Sequence, residues 1–295
     1  MINNNKFDLL HKYFQKMRVI FLTSLARASY YESVMEKFLR IEESSLPQLT
    51  MRKLHSHPHY EIYFLYEGSR SFFIENTLYS ITAPAVLVVP PFAMHKTEGG
   101  AFRRINIYVT ESMLDDFQKE ALTSLSLSFV PVTTEQSDIL RKILGTSLDH
   151  PLTEQHTHEV DKAKFDFFIL MLYHFAENRL PQSKENAGQA SPLVTKAINY
   201  MNANYSEPLS LDDLADRIYA TKQTLNYHFK KDLGCTPMNY LLRLRLTKVK
   251  ELLATSNKSI EEIAEVCGFS SGNYLTLIFK QKEGISPSSY RKNRN

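Results

Sequence analysis

Tryptophan is absent from this 295-residue chain, and cysteine occurs only twice, as Cys235 and Cys267. Two cysteines build no disulfide framework, and their spacing fits no metal-ligand motif. They read as thiols kept in a reducing compartment. Long apolar runs are also missing. The longest, FFILMLYHF at 167–175, is about half a membrane span. The opening MINNNKFDLL is polar and lacks signal-peptide architecture. These absences lead to the expectation of a soluble, cytoplasmic protein without a membrane partner. A strong charge of one sign is lacking as well. The net charge of +3 decides nothing, but its distribution does. Residues 193–295 carry 15 Lys/Arg against 10 Asp/Glu, and the remainder carries 20 against 22. The basic excess sits in the C-terminal third, where it suits a polyanion. What the chain does have is 43% hydrophobic residues, with 16 Tyr and 18 Phe. That is enough for a sizeable core and argues against global disorder. The length allows two domains of roughly 100–200 residues each.

Phe7, Leu10, Phe14, Met17 and Phe21 recur at steps of three and four, so residues 3–40 read as a helical extension. Docking on its own domain and a dimer contact are both open to it. Over 50–110 the pattern changes to short runs rich in aromatic and β-branched residues: YEIYFLYEG, RSFFIEN, TLYSIT, AVLVVP and FRRINIYVT. Their spacing predicts a sandwich or small barrel. From 112 to 180 the chain reads as helical again. Its last helix, 154–179, is apolar nearly all round between 167 and 175. Such a helix needs cover on more than one side. Its own domain or a second copy of the chain meets that need, and homodimerisation through 154–179 is the expectation carried forward. PQSKENAGQASP, 181–192, reads as a linker. Residues 193–295 show helical patterning only.

The C-terminal region contains a repeat. SLDDLADRIYAT (210–221) aligns with SIEEIAEVCGFS (259–270), and LNYHFKKDLGCTPMNY (225–240) with LTLIFKQKEGISPSSY (275–290). Ser210 and Ser259 are N-cap candidates, with Asp213 and Glu262 placed for capping boxes. Ala215 and Ala264 are small enough for a close helix crossing. Thr221 and Ser270 are expected to cap the second helices, and Gly234 and Gly284 to end them at positive φ. Each copy is thus a helix-turn-helix. The helix between them, within 237–257, can bury Tyr240, Leu241, Leu244, Val249, Leu252 and Leu253. It would brace two reading helices about 34 Å apart, the spacing of successive major grooves.

These residues resemble the DNA-binding domain of the AraC/XylS family of transcription regulators. The resemblance covers 193–295 and is strongest in SIEEIAEVCGFSSGNYLTLIFKQKEGISPSSYR. It implies that Lys222, Gln223, Asn226 and Tyr227 of the first reader face bases, with Gly272, Asn273, Tyr274, Thr276 and Leu277 on the second. Gln and Asn pair with adenine, and Tyr227 suits a thymine methyl or a phosphate. Lys230, Lys231, Arg243, Arg245, Lys280 and Lys282 are phosphate candidates. Two positions depart from the family pattern. Leu277 stands where Arg is frequent, and Tyr219 holds the turn position that is Gly268 in the second copy.

HSHPHYEIYFLYEG and the later His95 resemble the metal-binding motifs of cupins. His55, His57, Glu61 and His95 match the four ligand positions, and imidazole with carboxylate suits Fe, Mn, Ni or Zn. The second motif departs from the pattern at Phe92 and Gly99. The cupin-like domains of AraC relatives serve as ligand sensors. The expectation is therefore an effector pocket of His55, His57, His59, Glu61, Tyr63, His95, Arg104, Asn106 and Tyr108, with no cofactor, no resident metal and no catalysis. A metal-dependent cupin enzyme and an effector-independent virulence-type regulator are the alternatives.

The combined expectation is an α+β chain in which an N-terminal cupin-like β-barrel with flanking helices occupies 1–180. A linker (181–192) joins it to an all-α double helix-turn-helix domain (193–295). A small polar effector, such as a sugar, would control binding to double-stranded DNA and contact with RNA polymerase.

Overall fold

The computed structural model describes residues 39–46, 51–75, 77–127, 129–145, 154–178 and 191–292. The expected extension at 3–40 lies outside them, apart from Leu39 and Arg40, which open a strand instead of ending a helix.

Seven strands form one antiparallel sheet: β1 (Leu39–Leu46), β2 (Met51–His55), β3 (Tyr60–Ile74), β4 (Thr77–Thr82), β5 (Ala85–Val89), β6 (His95–Val109) and β7 (Phe129–Pro131). The two long strands organise it. β3 pairs with β4, β5 and β6, and β6 also pairs with β1 and β2. The sequence runs YEIYFLYEG and RSFFIEN fuse into β3, because Gly68 (φ +90°) lets the ladder shift register without breaking. Strands β1 and β7 carry weak alternation and escaped the sequence reading.

Side chains alternate across a strand, and β3 shows the consequence. Ile62 and Phe64 point to one face with Val86, Val88, Ile105 and Ile107. Three helices cover that face: α1 (Asp116–Leu125), α2 (Thr134–Gly145) and α3 (Glu154–Glu177). Tyr63 and Leu65 point the other way, into a second core with Phe72, Ile74, Leu87 and Phe102. Both faces are buried, so β3 looks continuously apolar over YEIYFLY. In α3, Phe165, Phe168, Ile169 and Leu172 enter the core, while Phe167 and Leu170 are 51% and 50% exposed. The described part of the domain therefore covers one side of this helix only.

The helical domain follows: α4 (Pro192–Asn204), α5 (Leu211–Ile218), α6 (Lys222–Leu233), α7 (Pro237–Thr255), α8 (Ile260–Val266), α9 (Gly272–Glu283) and α10 (Pro287–Lys292). Most of the expected linker is outside the described residues. Its last two, Ser191 and Pro192, are the N-cap and first residue of α4. The capping boxes form as expected, with Ser210 and Asp213 on α5 and Ser259 and Glu262 on α8. Thr221 caps α6, but α9 is capped by Ser271 and not Ser270. The inserted residue between the two aligned blocks moves the cap by one.

The turns match in hand despite different residues. Tyr219 adopts φ +60° and Gly268 φ +75°. Tyr219 is 91% exposed, so its side chain has room. At Gly268 a Cβ would stand 2.7 Å from the carbonyl oxygens of Tyr205 and Ser206, so only glycine fits.

Helix α7 divides its apolar residues between two cores. Tyr240, Leu241 and Leu244 pack with α4, α5 and α6. Leu246, Val249 and Leu253 pack with α8, α9 and α10. One helix is thus embedded in both helix-turn-helix units and fixes their relation. The first of these cores also takes Leu54, Phe73 and Met94 from the sheet domain.

Candidate functional site

Two constellations bear on function. The first is the pair of second helices, α6 and α9. Each buries one stripe, Leu225, Phe229 and Leu233 in α6 and Leu275 and Phe279 in α9. The opposite faces stay open. Gln223, Asn273, Lys230, Lys231 and Lys280 are exposed, while Asn226 and Thr276 are half-buried. Tyr227 and Leu277 are 62% and 65% exposed, and Tyr274 is exposed as well. Tyr227, Tyr274 and Leu277 thus leave apolar surface uncovered on otherwise polar helix faces. Lys222 is exposed but paired, its Nζ 2.7 Å from Asp212 Oδ1.

Three of the expected DNA contacts are placed elsewhere. Gly272 is buried, and its N–H donates to Glu261 Oε2 at 2.9 Å, so it anchors the start of α9 and presents nothing to a base. Arg245 donates from Nε to Tyr205 O and from Nη2 to Glu207 O, both at 2.7 Å, and so ties down the loop after α4. Arg243 donates from Nη1 to Leu54 O, across to the sheet domain. Lys282 is exposed at the edge of a cleft of about 400 Å³ between the end of β2 and helices α7 and α9, which leaves its assignment open. Both arginines are thus engaged by backbone carbonyls in this arrangement and do not line a phosphate surface.

The second constellation lies in the sheet domain. The β2–β6 register sets His55 opposite His95, and the β3–β6 register sets Glu61 opposite Tyr108 and Tyr63 opposite Asn106. Residues 40 apart in sequence are thereby neighbours. Donor atoms of His55, His57, Glu61 and His95 all lie within 4.8 Å of one another. Glu61 Oε2 is 3.2 Å from His57 Nε2 and 3.2 Å from His95 Nε2. Its other oxygen, Oε1, accepts from Asn106 Nδ2 at 2.7 Å, and Asn106 also donates to the Tyr108 hydroxyl at 2.6 Å. His59 stacks on His57 at 3.9 Å with an interplanar angle of 1°. Burial lowers the His57 pKa against the opposing pull of Glu61. Burial, with the His57 charge adding to it, lowers that of His59 to about 2. Burial also raises the Tyr108 pKa. Tyr63 and Arg104 form a separate group, the guanidinium 4.6 Å from the Tyr63 ring centroid and 5.3 Å from that of Phe102. The expected pocket thus divides into a polar cluster and a cation–π stack. Phe92 takes φ +62°, the conformation for which glycine is usual there, and its N–H donates to His57 O at 2.7 Å.

The sequence reading missed the seam between the two domains. Ser56 Oγ shares a hydrogen bond with Thr247 Oγ1, and Lys250 Nζ donates to Ser56 O at 3.1 Å. Tyr240 donates its hydroxyl to Glu75 O at 3.3 Å. A signal was present: Arg243, Thr247 and Lys250 recur at i, i+4 and i+7 on one face of α7. That is a polar stripe too regular for a helix wholly inside its own core.

Comparison with known proteins assigns both halves. Residues 39–172 match the AraC-like ligand binding domain, and residues 214–293 match a helix-turn-helix domain. The chain belongs to the AraC/XylS family of transcription regulators. This AraC/XylS chain is 31% identical over 144 residues to the HTH-type transcriptional regulator GbdR of Pseudomonas aeruginosa, covering 48% of this chain and 39% of that relative. It is 25% identical over 249 residues to the uncharacterized HTH-type transcriptional regulator YfiF of Bacillus subtilis, covering 81% and 78%. A solved AraC-type regulator structure from Chromobacterium violaceum shares 39% identity over 35% of this chain and 92% of that one, with a TM-score of 0.34. The match spans only 39% and 34% of the lengths of GbdR and the regulator ArgR of the same species. Among the described residues, no helix is long and apolar enough to cross a membrane.

Proposed function

We propose that this AraC/XylS chain is a cytoplasmic, non-enzymatic regulator of transcription that binds double-stranded DNA through α6 and α9 under control of a small effector. The observation that carries the reading is the repeated open face. Two equivalent helices, braced by one α7, both leave hydrogen-bonding and apolar side chains uncovered beside unpaired-helix-face lysines. Gln223, Asn226 and Tyr227 on α6, and Asn273, Tyr274 and Leu277 on α9, are the proposed base readers. Lys230, Lys231 and Lys280 are the proposed phosphate contacts. The proposed domain limits are 1–180 for the sensor, 181–190 for the linker and 191–295 for the DNA-binding domain, since Ser191 and Pro192 open α4. The effector is a small polar metabolite, a sugar being the class the mixed polar and aromatic residues suit. The cleft between β2 and α7, with Arg243, Thr247 and Lys250 on its wall, is the proposed entrance. Two copies associate through the exposed face of α3, and the DNA-bound form contacts RNA polymerase.

The test is fluorescence anisotropy of the full chain on a duplex selected from a random pool, repeated across salt concentrations. Binding with log K falling steeply against log salt supports the reading, since each neutralised phosphate contributes a slope of about −0.9. A flat salt dependence, or no selection from the pool, rejects it.

A further inference from the structure

The seam between the two domains encloses a cleft of about 400 Å³, within the range of small-molecule sites, about 300–1,000 Å³. One stripe of α7 forms a wall of it. Arg243, Thr247 and Lys250 recur there at steps of four and three. Helix α9 closes the Lys250 end with Lys282 and Glu283. The charge on these walls is one-sided. Three Lys/Arg side chains, Arg243, Lys250 and Lys282, share the cleft with one Glu. Lys250 is the costly member. It is 7% exposed, and burying an ammonium is unfavourable unless it is both paired and hydrogen-bonded. Its Nζ donates to Ser56 O at 3.1 Å but stands 3.6 Å from Glu283 Oε1, longer than a hydrogen bond. Burial lowers its pKa, and Glu283 only partly opposes this. Arg243 donates from Nη1 to Leu54 O, its one hydrogen-bond partner among the described residues. The rest of its planar fork of donors is left for the cleft. Both cations therefore rest on neutral carbonyls. A carboxylate or phosphate oxygen adds opposite charge to such a bond, and a guanidinium takes it bidentately.

We propose that this interdomain cleft is itself a binding site for a small organic oxyanion, a metabolite whose carboxylate or phosphate group is held by Arg243 and Lys250 with Lys282 at the rim. The cleft is larger than an inorganic ion fills and admits a sugar-sized body, to which Leu54 and Met94 offer apolar contact. A neutral sugar brings no charge to the cations and gains little from them. Occupancy would alter the grip between the domains. Arg243 and Lys250 are the side chains by which α7 holds the carbonyls of Leu54 and Ser56. A ligand that draws both cations into the cleft replaces those two interdomain bonds with bonds to itself. Helix α7 is embedded in both helix-turn-helix units, so the change reaches both reading helices. This last step deepens the effector reading and rests on the chain being a DNA-binding regulator; the oxyanion site does not.

The experiment titrates the full chain with glucose phosphate, glucuronate and glucose at constant ionic strength, following calorimetric heat and thermal melting. The expected result is saturable binding of at least one charged probe, one per chain, with a raised melting temperature and no response to glucose. The charged probe that saturates tells a phosphate ester from a carboxylate. Arg243→Gln and Lys250→Met should each weaken that binding by at least about tenfold. If either fails to fold, Lys282→Gln, at the exposed rim, takes its place and should weaken it by about threefold. Lys230→Gln, on the open face of α6, should leave it unchanged. Saturation by neither charged probe, equal binding of glucose, or loss in Lys230→Gln with retention in the cleft variants overturns the site. DNA affinity on the selected duplex should change by about fivefold or more at saturation. Saturation with equal DNA affinity in both states overturns the step through α7. Saturation without DNA binding in either state rejects the regulator reading, and that step with it, while supporting the site.

Discussion

Ser56 Oγ and Thr247 Oγ1 lie 2.8 Å apart although 191 residues separate them in the chain. One belongs to the loop after β2 and the other to the middle of α7, so this bond marks where the sheet domain holds the DNA-binding domain. Around it, Lys250 is buried, donates to Ser56 O at 3.1 Å and has Glu283 Oε1 at 3.6 Å. A buried cation needs both partners, since removal of one leaves charge without compensation.

Glu283→Gln should therefore destabilise the seam, and the loss should depend on pH. Burial lowers the Lys250 pKa from the ordinary 10.5, and Glu283 partly restores it. The sign follows directly. Below its folded pKa the lysine is charged in both states, and the cost of burying it is paid in full. Between that value and 10.5 the folded form has released its proton while the unfolded form has not. Without Glu283 the folded lysine releases its proton at a lower pH than in wild type, so the variant's deficit should shrink as pH climbs from its own folded pKa to that of wild type and stay constant above it. Urea unfolding at several alkaline pH values checks it, and a deficit that grows with pH would contradict the assignment.

On the reading helices, two substitutions should separate. Asn226→Ala should relax discrimination at one base pair, costing about 1–3 kcal/mol against the preferred sequence only. Lys230→Ala should weaken all sequences alike and lower the salt slope by about one unit. Competition anisotropy with matched and mismatched duplexes distinguishes them. Equal behaviour of the two variants would count against the assigned faces.

The two turns share a hand but differ in tolerance. Gly268→Ala forces a Cβ to within 2.7 Å of two carbonyl oxygens at φ +75°, and should cost about 2 kcal/mol or more. Tyr219→Gly removes a non-glycine residue from φ +60°, with only the Lys196 ammonium 4.9 Å from its ring to lose. It should stabilise by about 1 kcal/mol. Thermal melting of both variants tests the pair.

The open side of α3 concerns assembly. Phe167 and Leu170 are about half exposed on a helix whose other face is fully packed. Replacing both with glutamate should leave the circular dichroism unchanged and convert dimer to monomer in sedimentation. Wild-type protein that is already monomeric at the highest accessible concentration would remove the proposal.

Burial keeps Cys267 inert. It is buried, and its thiol is pushed up to about 12. A thiol reagent at neutral pH should label the partly exposed Cys235 first and reach Cys267 only after unfolding. Labelling at equal rates would show that α8 opens in the native state.

Local chemistry made much of this protein readable in one dimension. A capping box spans three residues, so Ser210 with Asp213 and Ser259 with Glu262 announce two helix starts whatever surrounds them. Gly234 and Gly284 end the second helices at φ +70° and +83° because that backbone conformation is costly for other residues. The repeat of these signals was enough to place two helix-turn-helix units and the helix between them. Tertiary structure decided everything that depends on residues far apart in the chain. Strand register brought His55 beside His95, and domain packing sent Arg243 to a carbonyl of the sheet domain and Arg245 to a neighbouring loop. An arginine on a helix looks the same in sequence whether it meets a phosphate or a carbonyl. The partner is chosen by the net balance of burial and hydrogen bonding over the whole folded chain, which no short window contains.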